Sequence, residues 1–344
     1  TEAVATRFWA ANALFAKTKK ANRELPPAAA AELGAHLLAV LKTDLAPEIA
    51  ERIAVTVATL ALQAEDADDG ASQSLENCAR AALEVCEAGR ARSGLGLLRS
   101  LADELDAVDC APRRRYDLEA RARGVARRAA LPALSRALAA ARDGDQALLL
   151  LNCAKSWLGR AEATLVDLVT GADFELGRFL ERCVSADCGS DELRWQLAGV
   201  AAVTFAEACR RGREGEDDAD GPALASCERF CARCRSLVDR SAELTRSGTL
   251  DGEAAASECA KHVASVAAAL SSSIHGAQLC LSFGVWELAL AATAHPRRSV
   301  GVVALDAWLD LQDVPVDQRH ASLGAPTYRR VLDALVAQCA ASRN

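Results

Sequence analysis

Polar residues follow a narrow stripe along an otherwise apolar segment near the start of the chain. Between Leu45 and Gln63 the polar positions recur every three to four residues, at Glu48, Glu51, Arg52, Thr56, Thr59 and Gln63. This spacing predicts an α-helix with Pro47 in its first turn, where a missing amide hydrogen costs no helical bond. A helix that is apolar around most of its circumference needs other helices on several sides. The segment therefore predicts a stack of helices.

The same periodicity, punctuated by turn signals, extends along the whole chain. It predicts about fourteen helices, or about seven two-helix units of about 49 residues each. No sustained alternation of apolar and polar positions indicates a strand, so we predict an all-α fold. Pro132 lies inside a predicted helix and should bend it. The predicted helices span 2–20, 28–42, 46–63, 71–88, 93–107, 115–142, 144–158, 163–183, 190–210, 222–246, 252–273, 277–294, 298–313 and 325–341.

Composition narrows the class of protein. Hydrophobic residues make up 51% of the chain and aromatic residues only 4%, so alanine and leucine supply most of the apolar surface and favour helices. The net charge of -7 disfavours general nucleic-acid binding and suits basic partners. The 13 cysteines are irregularly spaced, which is typical of reduced thiols in a cytosolic or nuclear protein. Arginines interrupt the longest apolar run, 126–141, so we expect no membrane insertion.

Two motifs could hold a metal ion. Cys231-x-x-Cys234 and Cys259-x-x-His262 have the paired spacing of a zinc site, but the cysteines also fall on one helical face, as small buried residues do. We favour burial, and we predict that these four side chains face the core. The acidic stretch Glu216–Gly221 has alternate acids before a glycine, as a calcium loop does, but Cys227 occupies the position of the last ligand. A solvated, mobile loop over 214–221 is the better interpretation.

Catalytic motifs are missing from the sequence. It has no Gly-x-Ser-x-Gly, no Gly-x-x-x-x-Gly-Lys and no His-Glu-x-x-His. His295-Pro296 is best interpreted as a turn that ends a helix. We therefore expect no enzymatic activity, no catalytic residue, no cofactor and no bound metal.

Two charged clusters are candidate binding surfaces. Arginines crowd the segment after Pro112, at Arg113, Arg114, Arg115, Arg121, Arg123, Arg127 and Arg128. Phosphate contact, an internal ion-pair ladder and contact with an acidic partner are the alternatives for this cluster. On the predicted helix 71–88, one face carries Glu76, Arg80, Glu84 and Glu87. An ordinary solvated stripe is the simplest interpretation of that face.

Short landmarks occur in a fixed order along the chain. They are Arg7-Phe-Trp-Ala-Ala-Asn12, Arg23-Glu-Leu-Pro26, Asp44-Leu-Ala-Pro-Glu-Ile-Ala50 leading into Ala58-Thr-Leu-Ala-Leu-Gln63, Arg113-Arg-Arg115, Cys153-Ala-Lys-Ser-Trp157, and Leu288 to His295-Pro296 followed by Val300 and Trp308. Together they resemble the importin-β superfamily of nuclear transport receptors, in its transportin-SR and importin-thirteen branch. The resemblance runs through the whole chain, without the family's first repeat or its C-terminal half.

The resemblance implies both a fold and a function. It implies a single right-handed α-solenoid of HEAT repeats over 1–344, which carries protein cargo through nuclear pores and shuttles between cytoplasm and nucleus. Its partners would be Ran-GTP, Phe-Gly nucleoporins and protein cargo, including Arg/Ser-rich proteins, with no direct nucleic-acid contact. The face with Glu76, Arg80, Glu84 and Glu87 would meet Ran, and Arg113, Arg114 and Arg115 are further partner-binding candidates. The alternative is a HEAT-repeat scaffold that assembles a multiprotein complex.

We also expect the chain to be an excerpt of a longer receptor. It contains no methionine, and helical sequence begins almost at Thr1. At the other end, an apolar stripe at helical spacing includes Tyr328, Val331, Leu332, Leu335, Val336 and Cys339. A terminal repeat normally has a polar outer face.

Overall fold

A computed structural model describes most of the chain and divides it into two compact units. The described residues are 2–20, 26–64, 74–108, 110–164, 167–168, 174–185, 188, 191–210, 221–248, 252–273, 283–319 and 322–341. Unit 1 comprises Thr1–Ala137 and Asn152–Ala161, and unit 2 comprises Leu138–Leu151 and Glu162–Asn344. No strand occurs within these ranges, which confirms the all-α class. The organisation of 1–344 as one domain stays a prediction.

Unit 1 is built from helices that lie in two layers. The helices are α1 (Glu2–Lys20), α2 (Pro27–Leu41), α3 (Pro47–Ala64), α4 (Ser74–Glu87), α5 (Ala91–Glu104), α6 (Pro112–Val125), most of α7 (Leu131–Ala140) and the second half of α8 (Gly144–Ala161). α3 packs between α1 and α5, while α4 packs on α5 and on α6. Helices two apart in sequence are therefore neighbours, as they are in stacked helix pairs.

The core of unit 1 centres on α3, as the apolar pattern predicts. Ile49, Ile53, Val57 and Leu60 are all buried. The polar stripe on α3 is narrower than predicted, however, because Thr56 and Thr59 are also buried. Their hydroxyls donate to the carbonyls four residues earlier, at 2.8 and 2.9 Å. A threonine that satisfies its hydroxyl within its own helix can be buried at little cost.

The helix that contains Pro132 is irregular just before that residue, and its bending stays a prediction. A π-helical turn over Ala126–Ala130 separates α6 from α7, and the amide of Leu131 donates to the carbonyl of Ala126. Proline lacks an amide hydrogen and its ring collides with the carbonyl four residues earlier. The wider turn immediately before Pro132 accommodates both effects.

Unit 2 shows the same two-layer packing. Its helices are the rest of α7 and α8, α9 (Phe174–Ser185), α10 (Glu192–Arg210), α11 (Gly221–Ser247), α12 (Glu253–Ser273), α13 (Phe283–Thr293), α14 (Arg298–Asp310) and α15 (Ala325–Ala341). In one layer α12 lies between α10 and α14, and in the other the order is α9, α11, α13, α15. Trp195 and Trp308 are buried here, as predicted.

One predicted helix of unit 2 is wrong. The segment 163–183 is not continuous, because Ala163 and Thr164 are not helical and α9 begins at Phe174. The amide of Thr164 donates to the carboxylate of Asp167 at 2.9 Å, which starts a separate turn. This turn packs so closely on α9 that a Cβ added to Gly177 would lie 2.0 Å from the carbonyl oxygen of Leu168.

Candidate partner-binding surfaces

Only part of the acidic face of α4 is exposed to solvent. Arg80, Glu84 and Glu87 are exposed, and Glu84 lies 3.9 Å from the ammonium group of Lys42. Glu76 differs from the other three, because its side chain is half-buried and its Oε2 atom is out of contact with solvent. The face available to a partner therefore consists of Arg80, Glu84 and Glu87.

Part of the arginine cluster turns inward. Arg113 is exposed, but Arg114 and Arg115 are half-buried. Arg114 donates to the carbonyl of Leu62 at 3.0 Å, and Arg115 donates to the carbonyl of Leu105 at the same distance. Both carbonyls lie at or near the C-terminal end of another helical segment, where carbonyl groups lack helical partners. These two arginines thus act as side-chain caps.

Other arginines cap helix ends in the same way. In unit 1, Arg127 donates to the carbonyl of Ala161 and Arg160 donates to that of Ala102, both at 3.0 Å. Arg160 also holds both carboxylate oxygens of Asp106, at 2.9 and 2.6 Å, and these hydrogen bonds lower the pKa of Asp106. A planar guanidinium group presents several donors in fixed geometry, so one side chain can serve a carbonyl and a carboxylate together.

The cysteines of the possible zinc motif are buried in unit 2. Cys231, Cys234 and Cys259 have at most 2% of their surface exposed, as we predicted. Burial raises the pKa of Cys231 and Cys234 well above the ordinary value, which disfavours the thiolate that zinc requires. The prediction is wrong for His262, whose side chain is 40% exposed and lies 3.9 Å from Glu258.

Among the described residues, no three His, Cys, Asp or Glu side chains are grouped as metal ligands. The calcium-like stretch 216–220 and the rest of the predicted mobile loop up to Gly221 lie outside the described residues, as does the acidic run 65–70.

A buried histidine joins several helices of unit 2. The amide of Arg297 donates to Nδ1 of His295 at 3.0 Å, so Nε2 carries the proton and donates to the hydroxyl of Ser241 at 3.1 Å. Burial lowers the pKa of His295 to about 4, and the charges of Arg246 and Arg297 act in the same direction. The prediction that His295-Pro296 ends a helix is confirmed, because α13 stops at Thr293.

The hydrogen bonds around His295 extend to α14 and α15. The indole of Trp308 donates to the hydroxyl of Thr293 at 3.0 Å. The amide group of Gln338 donates to the carbonyls of Thr293 and His295 at 2.7 and 2.9 Å. The roles of Ser241, Thr293 and Gln338 could not be predicted from the sequence, because their partners are remote in sequence and no local pattern marks them. Ser241 and Thr293 are buried and Gln338 is half-buried, and they form a polar cluster around His295.

Two carboxylates of unit 2 are each held by two arginines from neighbouring helices. Glu287 on α13 lies 2.9 Å from Arg235 on α11 and 3.5 Å from Arg330 on α15. Glu181 on α9 pairs with Arg229 and Arg233 on α11. These ion pairs link neighbouring helices of this layer.

The comparisons with other proteins do not identify a partner or a function for these surfaces. Scans against known protein families and against curated proteins gave no match for this chain. Within the described part of the chain, no helix combines the length and the apolar character needed to cross a bilayer.

Proposed function

We propose that this chain forms part of an importin-β-type nuclear transport receptor that carries protein cargo under the control of Ran-GTP. The observation that carries the proposal is the role of the sequence landmarks in the fold. Trp157 and Trp308, two of those landmarks, are buried and hydrogen-bonded to neighbouring helices, and His295 closes a turn between helices. The resemblance thus lies in residues that hold neighbouring helices together, which supports a common architecture.

The layered helices suit binding without catalysis. Stacked helix pairs offer a long surface on which many weak contacts can add up. We assign the exposed Arg80, Glu84 and Glu87 of α4 to the contact with Ran, and grooves between neighbouring helices to Phe-Gly nucleoporins. Cargo, including Arg/Ser-rich proteins, would bind elsewhere on the surface, and the receptor would shuttle between cytoplasm and nucleus. The free energy for release would come from the nucleotide of Ran.

The decisive experiment compares the affinity of the chain for Ran in its two nucleotide states. We expect Ran loaded with a non-hydrolysable GTP analogue to bind at least about tenfold more tightly than Ran-GDP. The test variant combines Glu84→Lys and Glu87→Lys with Glu76→Gln, because a lysine at the half-buried position 76 would perturb the fold. Charge reversal at an interface costs on the order of 1 kcal/mol or more per pair, so the variant should lose at least about tenfold in affinity.

The matched control reverses two exposed acids on other helices of unit 1, Glu51→Lys and Asp103→Lys. It should stay within about twofold of the wild-type affinity. Equal affinity for the two nucleotide states would reject the transport receptor and favour the HEAT-repeat scaffold. Selective binding that the α4 variant leaves intact would reject only our choice of residues.

A further inference from the structure

The turn between α13 and α14 is joined by hydrogen bonds to other helices of unit 2. His295 lies in this turn and is fully buried, as is Ser241 on α11, whose hydroxyl it contacts. The amide of Arg297, at the start of α14, donates to Nδ1 of His295. Gln338 on α15 donates to the carbonyls of Thr293 and His295. The side chain and the backbone of His295 therefore connect α11, α14 and α15.

Gln338 fastens the C-terminal half of α15 to this turn. Its amide group lies against Gly301 on α14, where an added Cβ would be 2.5 Å from Nε2 of Gln338. The two carbonyls that it binds lie at and just after the C-terminal end of α13, where carbonyl groups lack helical partners. The N-terminal half of α15 is held separately, because Arg330 lies 3.5 Å from Glu287 on α13.

This arrangement requires a neutral imidazole. Nδ1 of His295 accepts a hydrogen bond from the amide of Arg297, so it carries no proton while that bond exists. A second proton would leave the amide without its acceptor and would bury a positive charge. The guanidinium groups of Arg246 on α11 and of Arg297 both act against that charge. Glu253 on α12 is paired with Arg297, and Gln338, the contact from α15, is uncharged.

We propose that acid opens the turn around His295 and releases the C-terminal half of α15, while the rest of unit 2 stays folded. Opening lets the imidazole reach water and bind its second proton. The carbonyl of His295 moves with the turn, so Gln338 loses this acceptor and its fixed position beside the carbonyl of Thr293. This conformational change is independent of the transport function and needs no partner.

Linkage sets the pH range of the opening. Burial lowers the pKa of His295 to about 4 in the closed turn, whereas the ordinary value of 6.5 applies once the imidazole is in water. The open form thus binds protons more readily, and its population rises as the pH falls from 6.5 toward 4. Between about pH 7 and about pH 4.5, the ratio of open to closed molecules should rise on the order of tenfold to a hundredfold.

Amide hydrogen exchange followed by mass spectrometry measures this ratio at the two pH values, after correction for the intrinsic effect of pH on exchange. In the wild type, the ratio for the turn 294–297 and for the C-terminal half of α15 should rise at least about tenfold on acidification. In His295→Gln it should change less than about twofold, because glutamine does not titrate. The control His36→Gln, at an exposed position on α2, should behave as the wild type does. Peptides from α10 should stay protected throughout.

A second variant tests the attachment of α15. Gln338→Ala removes both bonds to the turn, so at neutral pH it should raise exchange in the C-terminal half of α15 at least about tenfold. The turn itself should keep its response to acid, because the bond between Arg297 and His295 does not involve Gln338.

An acid-induced rise that His295→Gln retains in full overturns the proposal. So does exchange in α10 that rises together with that of α15, which would indicate unfolding of the whole unit. Exchange in α15 that Gln338→Ala leaves unchanged also overturns it. The last two comparisons hold even if His295→Gln does not fold.

Discussion

The indole Nε1 of Trp157 donates a hydrogen bond of 2.9 Å to the main-chain carbonyl of Leu98, inside unit 1. Both residues are fully buried, so this bond links α8 to α5 where water has no access. A buried tryptophan supplies apolar area and one polar N–H group. Here a carbonyl of α5, 59 residues earlier in the chain, accepts the hydrogen bond from that group.

Replacing Trp157 by phenylalanine tests this link. The change removes the donor and leaves a small cavity, so we expect a loss of about 2–4 kcal/mol in the free energy of unfolding. Chemical denaturation of the dilute protein measures it. Trp9→Phe, the same change at an exposed position, should stay within about 0.5 kcal/mol of the wild type. Equal effects at the two positions would contradict the role of the buried bond.

Gly177 on α9 should not tolerate a methyl group. Alanine favours helices over glycine, but its Cβ at position 177 would meet the backbone of Leu168, which cannot move aside as a side chain can. We expect Gly177→Ala to destabilise the protein by about 1–3 kcal/mol. Gly34 on α2 has no atom within 4 Å of an added Cβ, so Gly34→Ala should instead stabilise it by up to about 1 kcal/mol. Thermal melting of both variants measures whether each substitution lowers or raises the stability.

His295 should make unit 2 sensitive to acid. Its folded pKa of about 4 lies below the ordinary value of 6.5, so the unfolded chain binds a proton more readily. The contribution to stability is complete above pH 6.5 and is lost as the pH falls from 6.5 toward 4. We expect the loss over this range to be on the order of 1–3 kcal/mol greater for the wild type than for His295→Gln.

The measurement is urea denaturation at several pH values between these limits. His36→Gln replaces a histidine on the exposed side of α2 and controls for the loss of an imidazole. If the wild type and His295→Gln lost stability in parallel on acidification, the histidine would not be responsible.

The chain should bind no stoichiometric zinc. Cys231, Cys234 and Cys259 are buried as thiols, whereas His262 lies at the surface beside Glu258. Elemental analysis of protein purified with added zinc should find far less than one equivalent, and Cys231→Ser/Cys234→Ser should not lower the amount. One equivalent that this double variant loses would show that the four residues converge on a metal.

Helical periodicity made the core predictable, because it is a local property of the sequence. The burial of Ile49, Ile53 and Val57 follows from their spacing alone. The contact of Arg114 does not, since the carbonyl that it caps belongs to Leu62, 52 positions away. An arginine has the same helix propensity whether its guanidinium group meets solvent, a partner or a neighbouring backbone. For that reason we predicted from the sequence that Arg114 and Arg115 lie on a partner-binding surface. In the fold their guanidinium groups instead contact the backbone of other helical segments.

The buried cysteines of α11 and α12 make opening of these helices measurable. Alkylating reagents attack thiolates, and burial both covers Cys227, Cys231 and Cys259 and raises their pKa, that of Cys227 to about 12. Each thiol can therefore react only while its helix is detached from the core. Labelling in native buffer, followed by mass spectrometry, would give an opening rate for each helix, with the exposed Cys339 as the reference for unhindered reaction.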